Sequence, residues 1–378
     1  MDAPFPKTLG IEEEYLLVDK ESGALANDPP DELLEECQRR YEGQVSPEFL
    51  RSQIEVGTTV CTSLREARDQ LRDLRATIAE VADKYGLAPI AASTHPFARW
   101  KDQRHTPKAR YATLMGELQG VARRMVICGM HVHVGVEDPE LRIDLMNQVK
   151  YFLPHLLCFS TSSPFWTGVD TGLKSYRLTI FDNLPRTGLP EFFSSYSEYR
   201  DYTEILKETG LIEDTSKLWW DVRPSARFPT LELRIPDTCT RLEDGVAVAA
   251  LYLCLMSYLA DLKKHNQKWR VYSSSLIKEN RWRAQRYGLD EGIVDLGQRV
   301  VKPWSTLIDE FENLLEPHAE RLDCLDELRH LRTIYNRGTS AHNQLRVYHE
   351  ARAAGADDTE ALRQVVQWLI AATVNQEE

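Results

Sequence analysis

The segment from Thr8 to Asp19, TLGIEEEYLLVD, sets three glutamates inside an apolar run. Read as a strand, its alternation puts Glu12 and Glu14 on one face with Gly10 and Leu16, and Glu13 on the other with Leu9, Ile11, Tyr15 and Leu17. Two carboxylates on one face then sit about 7 Å apart. Glutamate is depleted in strands and neighbouring like charges repel, so such a pair needs cations to be tolerated. Oxygen donors favour Mg²⁺ or Mn²⁺ over Zn²⁺. On its own the segment reads equally as an exposed edge strand guarded by charge, or as a surface helix.

Four later segments carry ionisable groups into apolar surroundings. Phe49 to Thr58, FLRSQIEVGT, reads as a strand holding Glu55. In RMVICGMHVHVGV, His131 and His133 share a face opposite Val132, Val134 and Val136. Lys174 to Phe181, KSYRLTIF, reads as a strand with Arg177 in its midst. WWDVRPSARFPTLELRI delivers a strand in which Glu232 and Arg234 face one side, for which one internal ion pair is the plainer account. Surface charge does not concentrate inside apolar strands, so together these groups describe one sheet face rich in carboxylate, imidazole and guanidinium. Such a face suits a strongly anionic ligand held through metal, and a nucleoside triphosphate fits. The run ENRWRAQRYG adds Arg281, Arg283 and Arg286 between Trp282 and Tyr287, able to clamp phosphate or stack on a base, although a charged helix face is the commoner outcome. Arg223, Arg283 and Arg286 are the candidates for nucleotide contact.

No G-x-x-x-x-G-K-[ST] loop, no G-x-G-x-x-G after the first strand and no G-x-S-x-G elbow occurs, so phosphate must be held by metal and arginine. The His131/His133 pair also suits a zinc hydrolase, for which His95 is the available third imidazole; the abundance of glutamate favours Mg²⁺.

The elements that position these groups are legible in outline. Ser63 and Glu66 have capping-box spacing ahead of a helix over Thr62 to Tyr85, whose Arg and Asp residues read as a solvated face and which stops at Gly86. Asp138-Pro139 starts a helix expected to run to about Phe159. Further helices are expected over Glu198 to Thr209, Leu242 to Lys264 and Ser274 to Tyr287, twice between Ser305 and Tyr335, and near Thr359 to Thr373. By itself the alternation of strands and helices suggests a parallel doubly wound sheet.

With 46 Lys+Arg against 58 Asp+Glu, the net charge of -12 speaks against non-specific binding of nucleic acid or anionic membrane. The apolar run Val246 to Leu259 is shorter than a spanning helix needs and reads as a core helix. Seven cysteines without a C-x-x-C pair, and an N-terminus without a signal-peptide pattern, lead to a cytoplasmic expectation. Assembly as a homodimer is compatible with these numbers.

GIEEEYLLVD, SQIEVGTTVC, STHPFARW, CGMHVHVGVEDPELRIDLMNQ, STSSPFWTGVDTGLKSYRLTIFDNLPRTG, WWDVRPSARFPTLELRIPDTCT and ENRWRAQRYG follow one another as in carboxylate-amine ligases of the YbdK type. These resemble family-2 glutamate-cysteine ligases and, more distantly, glutamine synthetase. The resemblance spans nearly all of residues 8 to 300 and thins beyond. It implies an α+β, glutamine synthetase-like catalytic domain over residues 1–378, helical from about 300, with a curved, mainly antiparallel sheet and helices on its outer face. It further implies ATP, Mg²⁺ (or Mn²⁺) and amide formation through an acyl phosphate, with glutamate as the carboxylate, cysteine as the amine, and weak glutamate-cysteine ligase activity. Position by position, Glu12 and Glu14 resemble ligands of two different metals. Glu55 resembles a ligand of the first metal, joined by Glu48; strict alternation puts Glu48 on the opposite face, so a bend or bulge must intervene. One histidine of His131/His133, with Glu232, resembles the ligands of the second. Arg177 and Arg234 correspond to groups facing the transferred phosphoryl group and the substrate carboxylate. Two other readings are a non-catalytic ATP-binding regulator of the same fold and the metal hydrolase built on His131 and His133.

Overall fold

The computed structural model describes residues 5–374. Its central sheet has seven strands: β1 (Leu9–Asp19), β2 (Val45–Pro47), β3 (Gln53–Gly57), β4 (Leu87–Ile90), β5 (Met130–Gly135), β10 (Val222–Pro224) and β11 (Thr230–Leu233). Three two-stranded ribbons lie outside it: β6 and β7 (Phe165–Trp166, Val169–Asp170), β8 and β9 (Thr187–Gly188, Trp219–Trp220), β12 and β13 (Ile293–Asp295, Val300–Lys302). The sheet runs β10-β11-β5-β1-β3-β2, with β4 pairing the distal half of β1, and every pairing in it is antiparallel. The parallel sheet suggested by strand-helix alternation is therefore not formed, and the α+β arrangement is.

Strand β1 is the axis. Glu12 faces Gly57 on one side and His131 on the other, and Glu14 faces Glu55. Its other face, with Ile11, Tyr15 and Leu17, joins Val132, Val134, Leu231 and Leu233 in the main core. Helices α2 (Leu64–Asp83), α4 (Pro139–Val149), α5 (Leu153–Ser160) and α8 (Leu242–Lys264) cover that side and contribute to the same core, as do α10 (Trp304–Arg321) and α11 (Leu325–Arg337). Ser63 caps α2 by accepting from the Glu66 N–H at 3.2 Å, and Asp138 caps α4 ahead of Pro139. Among the described residues α8 alone is long and apolar enough to cross a membrane, yet 83% of its apolar window is buried inside the protein.

Leu16 and Val18 continue the face that carries Glu12 and Glu14, and they belong to a second core with Leu362, Val365, Val366 and Leu369 of α13 (Asp358–Val374). Burying each such side chain contributes about 1.5–3 kcal/mol. Helix α13 thus seals one end of the face and leaves the acidic end to other elements. It follows α12 (Ser340–Ala353).

Several expectations are corrected. Lys174 to Phe181 is not a strand: Arg177 opens a short helix, α6 (Arg177–Phe181), and docks through its side chain on the Arg234 and Ile235 carbonyls at 3.2 and 3.1 Å rather than through a backbone ladder. Phe49 to Thr58 is a strand only from Gln53, because a short β2, not foreseen, turns back into β3 as a hairpin. Trp219 to Pro236 likewise is not one strand: it holds β9 and then a hairpin of β10 and β11. The helix from Asp138 is interrupted by a 3₁₀ turn over Lys150–Phe152 ahead of Pro154, which lacks the N–H a continuous helix would use. Finally, the polar face of α2 is not wholly solvated.

Arg75 of α2 is 1% exposed and reaches Glu13, itself fully buried. Its Nε and Nη2 donate to the two Glu13 oxygens at 2.9 and 2.7 Å, and its Nη1 and Nη2 donate to the Thr240 and Cys239 carbonyls. Tyr15 donates its hydroxyl to the same carboxylate. Removing one partner of such a pair strands a buried charge, at a cost of about 3–5 kcal/mol. Arg75→Met in urea unfolding is expected to show a loss of that size; a loss within about 0.5 kcal/mol, the range of ordinary surface changes, would show that the pair does not anchor β1.

Candidate active site

The open end of the sheet face is assembled from neighbouring strands at fixed register. Glu12 lies across from His131, Gly10 across from His133, and His133 across from Glu232, whose other neighbour is Arg223. Glu14 lies across from Glu55, and Glu55 across from Ser46. Period-two alternation therefore delivers each side chain to one face. Glu48 arrives differently. It follows β2 at the start of the turn into β3, so the opposite-face objection disappears: the chain between Glu48 and Glu55 is a hairpin, not one extended strand.

Glu14, Glu48 and Glu55 each offer an oxygen within 4.8 Å of the others, the only such group of three among the described residues. Oxygen ligands at 2.0–2.1 Å from a Mg²⁺ ion span comparable distances. Their electrostatics say the same. Burial and the Glu55 charge push the Glu14 carboxyl up to about 7. Burial and the charges of Glu14 and Glu55 raise Glu48 well above the carboxylate range, and burial and Glu12 raise Glu55. Three clustered acids whose charged forms disfavour one another suit a divalent cation. The Gly129 N–H donates to Glu14 at 2.7 Å and fixes its orientation.

Glu12, His131, His133 and Glu232 adjoin this cluster. His131 Nδ1 lies 3.0 Å from Glu12 Oε2, and His133 Nε2 lies 3.5 Å from Glu12 Oε1 while its Nδ1 bonds the Thr230 hydroxyl at 2.9 Å. Burial raises Glu12, but the hydrogen bond from His131 and the nearby His133 imidazole outweigh it and hold the carboxyl well below its ordinary range. Burial, helped by Arg234, lowers His131 to about 4. A neutral His131 that donates Nδ1–H to Glu12 keeps the lone pair on Nε2 available as a ligand. Glu232 is buried too, yet Arg234 and Arg223 hold its carboxyl down. Two buried polar atoms on this face, His133 Nε2 and Arg234 Nε, have no hydrogen-bond partner. One is a potential ligand for a cation and the other a donor for an anion, which is the complement that a metal-bound phosphate presents.

The arginines divide. Arg234 ion-pairs with Glu232. Arg177, 3% exposed, hydrogen-bonds carbonyls and is without a direct carboxylate partner among the described residues. Its guanidinium occupies the place of a side chain at Gly129, where an added Cβ would stand 2.3 Å from Nη2. Arg223, expected at a nucleotide, is instead engaged: Nε and Nη2 bind Glu232 at 2.9 and 3.1 Å, and Nη1 binds the Ser216 and Leu218 carbonyls. Arg283 and Arg286, also expected there, tie down loops, Arg283 at Glu291 and the Gly292 carbonyl and Arg286 at the Gly172 carbonyl. His95, the third imidazole of the zinc alternative, bonds the Gly23 carbonyl and the Phe97 and Ala98 N–H groups, so that ligand set is not assembled. The sequence reading missed the roles of Gly129, Arg75 and the buried Arg281; only an apolar neighbour on each side of Arg75, Leu74 and Ala76, hinted at the second.

The family model for glutamate-cysteine ligase family 2 matches residues 8–367. A Rhodospirillum rubrum protein provisionally named glutamate-cysteine ligase 2 is 60% identical over 371 residues, covering 97% of this chain and 95% of its own. A Ruegeria pomeroyi protein of the same provisional name is 57% identical, covering 96% and 94%. Among solved structures, a Francisella tularensis glutamate-cysteine ligase in complex with AMP has a TM-score of 0.68 at 15% identity, over 99% of this chain and 90% of that one. A bifunctional glutathione synthetase from Pasteurella multocida has a TM-score of 0.66 at 17% identity, over 97% of this chain and 52% of that one. Both likenesses establish the fold.

The acid cluster fixes how stability must respond to pH and metal. Glu14, at about 7 when folded against an ordinary 4.5, contributes full stability below about 4.5 and loses it as pH rises through 7. Ligation needs the deprotonated form, so Mg²⁺ or Mn²⁺ binding strengthens over the same interval. Added at a hundredfold excess over its dissociation constant, the ion should stabilise the fold by about 2.7 kcal/mol. Thermal melts are expected to show a metal-dependent rise in Tm that grows from pH 6 to pH 8 and is largely lost in Glu48→Gln. Melts indifferent to either metal at pH 8 would dismiss the cluster as a cation site.

Proposed function

Since the chain belongs to glutamate-cysteine ligase family 2, we propose that it is an ATP- and Mg²⁺-dependent carboxylate-amine ligase that joins glutamate to an amine, cysteine first among them, through an acyl phosphate. The observation that carries this reading is the juxtaposition, on one face, of the half-buried Glu14/Glu48/Glu55 cluster with the unpartnered Arg234 Nε and the carboxylate-free Arg177. The names of the relatives supply glutamate and cysteine; the residues supply the charge pattern that phosphoryl transfer requires.

Glu14, Glu48 and Glu55 would hold one divalent ion, and Glu12, Glu232 and one of the two imidazoles a second. Such ions neutralise phosphate oxygens and orient the triphosphate. The chain's own side chains do the rest. Arg234 and Arg177 place positive charge where the γ-phosphoryl group gathers negative charge as a glutamate carboxylate oxygen attacks phosphorus and ADP departs. The same arginines bind the acyl phosphate while the amine nitrogen attacks its carbonyl carbon, inorganic phosphate leaves and the amine gives up a proton. No protein nucleophile is needed. Arg223 keeps Glu232 from rotating away, and the Gly129 N–H does the same for Glu14. Burial makes each of these charges count for more than it would in water.

Purified protein incubated with ATP, Mg²⁺, hydroxylamine and a panel of carboxylates is expected to yield hydroxamate and phosphate with glutamate. Glu12→Gln should depress both by about 10²–10³-fold, the scale seen when one preorganised electrostatic contact is removed. Replacing hydroxylamine by cysteine and other amines then identifies the acceptor through ADP release. Tight Mg-ATP binding with no hydroxamate from any carboxylate would contradict ligase chemistry and leave a nucleotide-binding regulator.

A further inference from the structure

Helix α9 (Ser274–Tyr287) carries Arg281, 7% exposed, into the region behind the two arginines of the face. Its guanidinium is divided between two acids. Nε and Nη2 donate to Asp221 at 2.8 and 3.1 Å, and Nη1 and Nη2 donate to Asp182 at 2.6 and 2.8 Å. Each acid is tied to a segment that presents one arginine of the site. Asp182 is the C-cap of α6, the helix Arg177 opens. The Asp221 carbonyl accepts the Arg234 and Ile235 N–H groups at 2.8 and 3.1 Å, which fixes the backbone from which Arg234 projects. The loop is closed by Arg177 itself, whose Nη1 and Nη2 donate to the Ile235 and Arg234 carbonyls. The backbone at 234–235 is thus gripped from Asp221 on one side and from Arg177 on the other, and Arg281 ties the two grips together.

We propose that Arg281 is a positioning residue for the ligase reaction: by holding Asp182 and Asp221 in one fork it sets the separation of Arg177 and Arg234, and so the geometry of the anion-binding site they share. This rests on the ligase reading above. A planar fork with donors on three nitrogens is needed to serve two carboxylates at once, and the single ammonium of lysine cannot reproduce it. Misplacement of a charge by about 1 Å is enough to cost on the order of 10²-fold in turnover. A purely architectural Arg281 would instead affect stability, and its loss would multiply with the loss from any change at Arg177.

The test is a double-mutant cycle with Arg281→Lys and Arg177→Lys in the full chain, read both as kcat for glutamyl hydroxamate and as Kd for Mg-ATP by calorimetry. Arg281→Lys is expected to lower kcat on the order of 10²-fold. In the Arg177→Lys background it should add little, because the geometry it maintains is already lost. If Arg281→Lys does not fold, Asp182→Asn removes one arm of the fork at a more accessible position and enters the same cycle. Losses that multiply in both readouts, or a folded Arg281→Lys with wild-type kcat, overturn the proposal. If the wild type makes no hydroxamate, the ligase reading fails by itself and Mg-ATP affinity alone judges Arg281: coupled losses sustain the positioning role for anion binding, and an unchanged or independently weakened Kd ends it.

Discussion

Three consecutive glutamates in the middle strand of a sheet are the constraint on which the rest of this molecule depends. β1 is paired on both edges at Glu12 and Glu13, so neither can reach water by peeling away. The strand is tolerable only because each face receives a different compensation. Beneath the sheet, Glu13 is neutralised by Arg75 with Tyr15 as second donor. Above it, Glu12 is balanced by two imidazoles and Glu14 only in part by the Gly129 N–H. The pairing below is complete in the protein alone, whereas the pairing above is not. That asymmetry, together with the complete burial of Glu13 against the half-buried Glu14 and Glu48, separates the structural acid from the functional ones.

Charge then varies across the sheet. The β2–β3 side carries Glu48 and Glu55 with raised carboxyl groups; the β10–β11 side carries Glu232, held ionised by Arg223 and Arg234. One side lacks positive charge and the other holds arginine charge beyond what Glu232 compensates. A ligand that is itself an anion bound to a cation matches both at once: its cation meets the glutamates and its anionic oxygens meet the guanidinium groups. This is why the pattern favours metal-assisted phosphoryl transfer over a metal hydrolase, which needs a ligand cage and an open position but no second field of arginine.

Much of this was legible in the amino-acid order because strands deliver residues at period two, and Glu12, Glu14, Glu55, His131, His133 and Glu232 needed nothing more, whereas Glu48 came from the family resemblance. The helix caps at Ser63 and Asp138, and the buried α8, were readable for the same local reason. What escaped were facts of tertiary pairing. KSYRLTIF has the composition of a strand, yet Arg177 binds the sheet end-on through its guanidinium and the backbone is left to coil into α6. Arg75 looked like one more charge on a helix, because nothing local marks which arginine meets Glu13 62 residues away. Arg223, Arg283 and Arg286 were assigned by charge alone, and charge does not tell a ligand contact from the support of a loop. The antiparallel sheet, too, came from family resemblance rather than periodicity, since alternation of elements is silent on strand direction.

The sealed end of the face explains how the reacting groups must be laid out. Beyond Glu14, β1 continues with Leu16 and Val18, and these are buried under α13. The site cannot extend along the strand in that direction, so it extends across strands. From β3 through β1 and β5 to β11 there are three inter-strand steps, about 14 Å at 4.7–4.9 Å each. A row of that length carries Glu55 at one end and Glu232 at the other, with Glu12, Glu14 and the two histidines between them; in the ligase proposed above, a carboxylate substrate and a triphosphate would meet along it. Its accuracy depends on features that hold strands at their spacing: Arg75 locking β1 to α2 from below, and Arg281 linking α6 to the backbone of Arg234 from behind. Each buries a guanidinium between acids or carbonyls. A buried pair of this kind adds little net stability compared with a well-packed apolar substitute, whereas breaking it is costly. Its benefit here is positional, because a salt-bridged fork tolerates displacement far less than an apolar contact does.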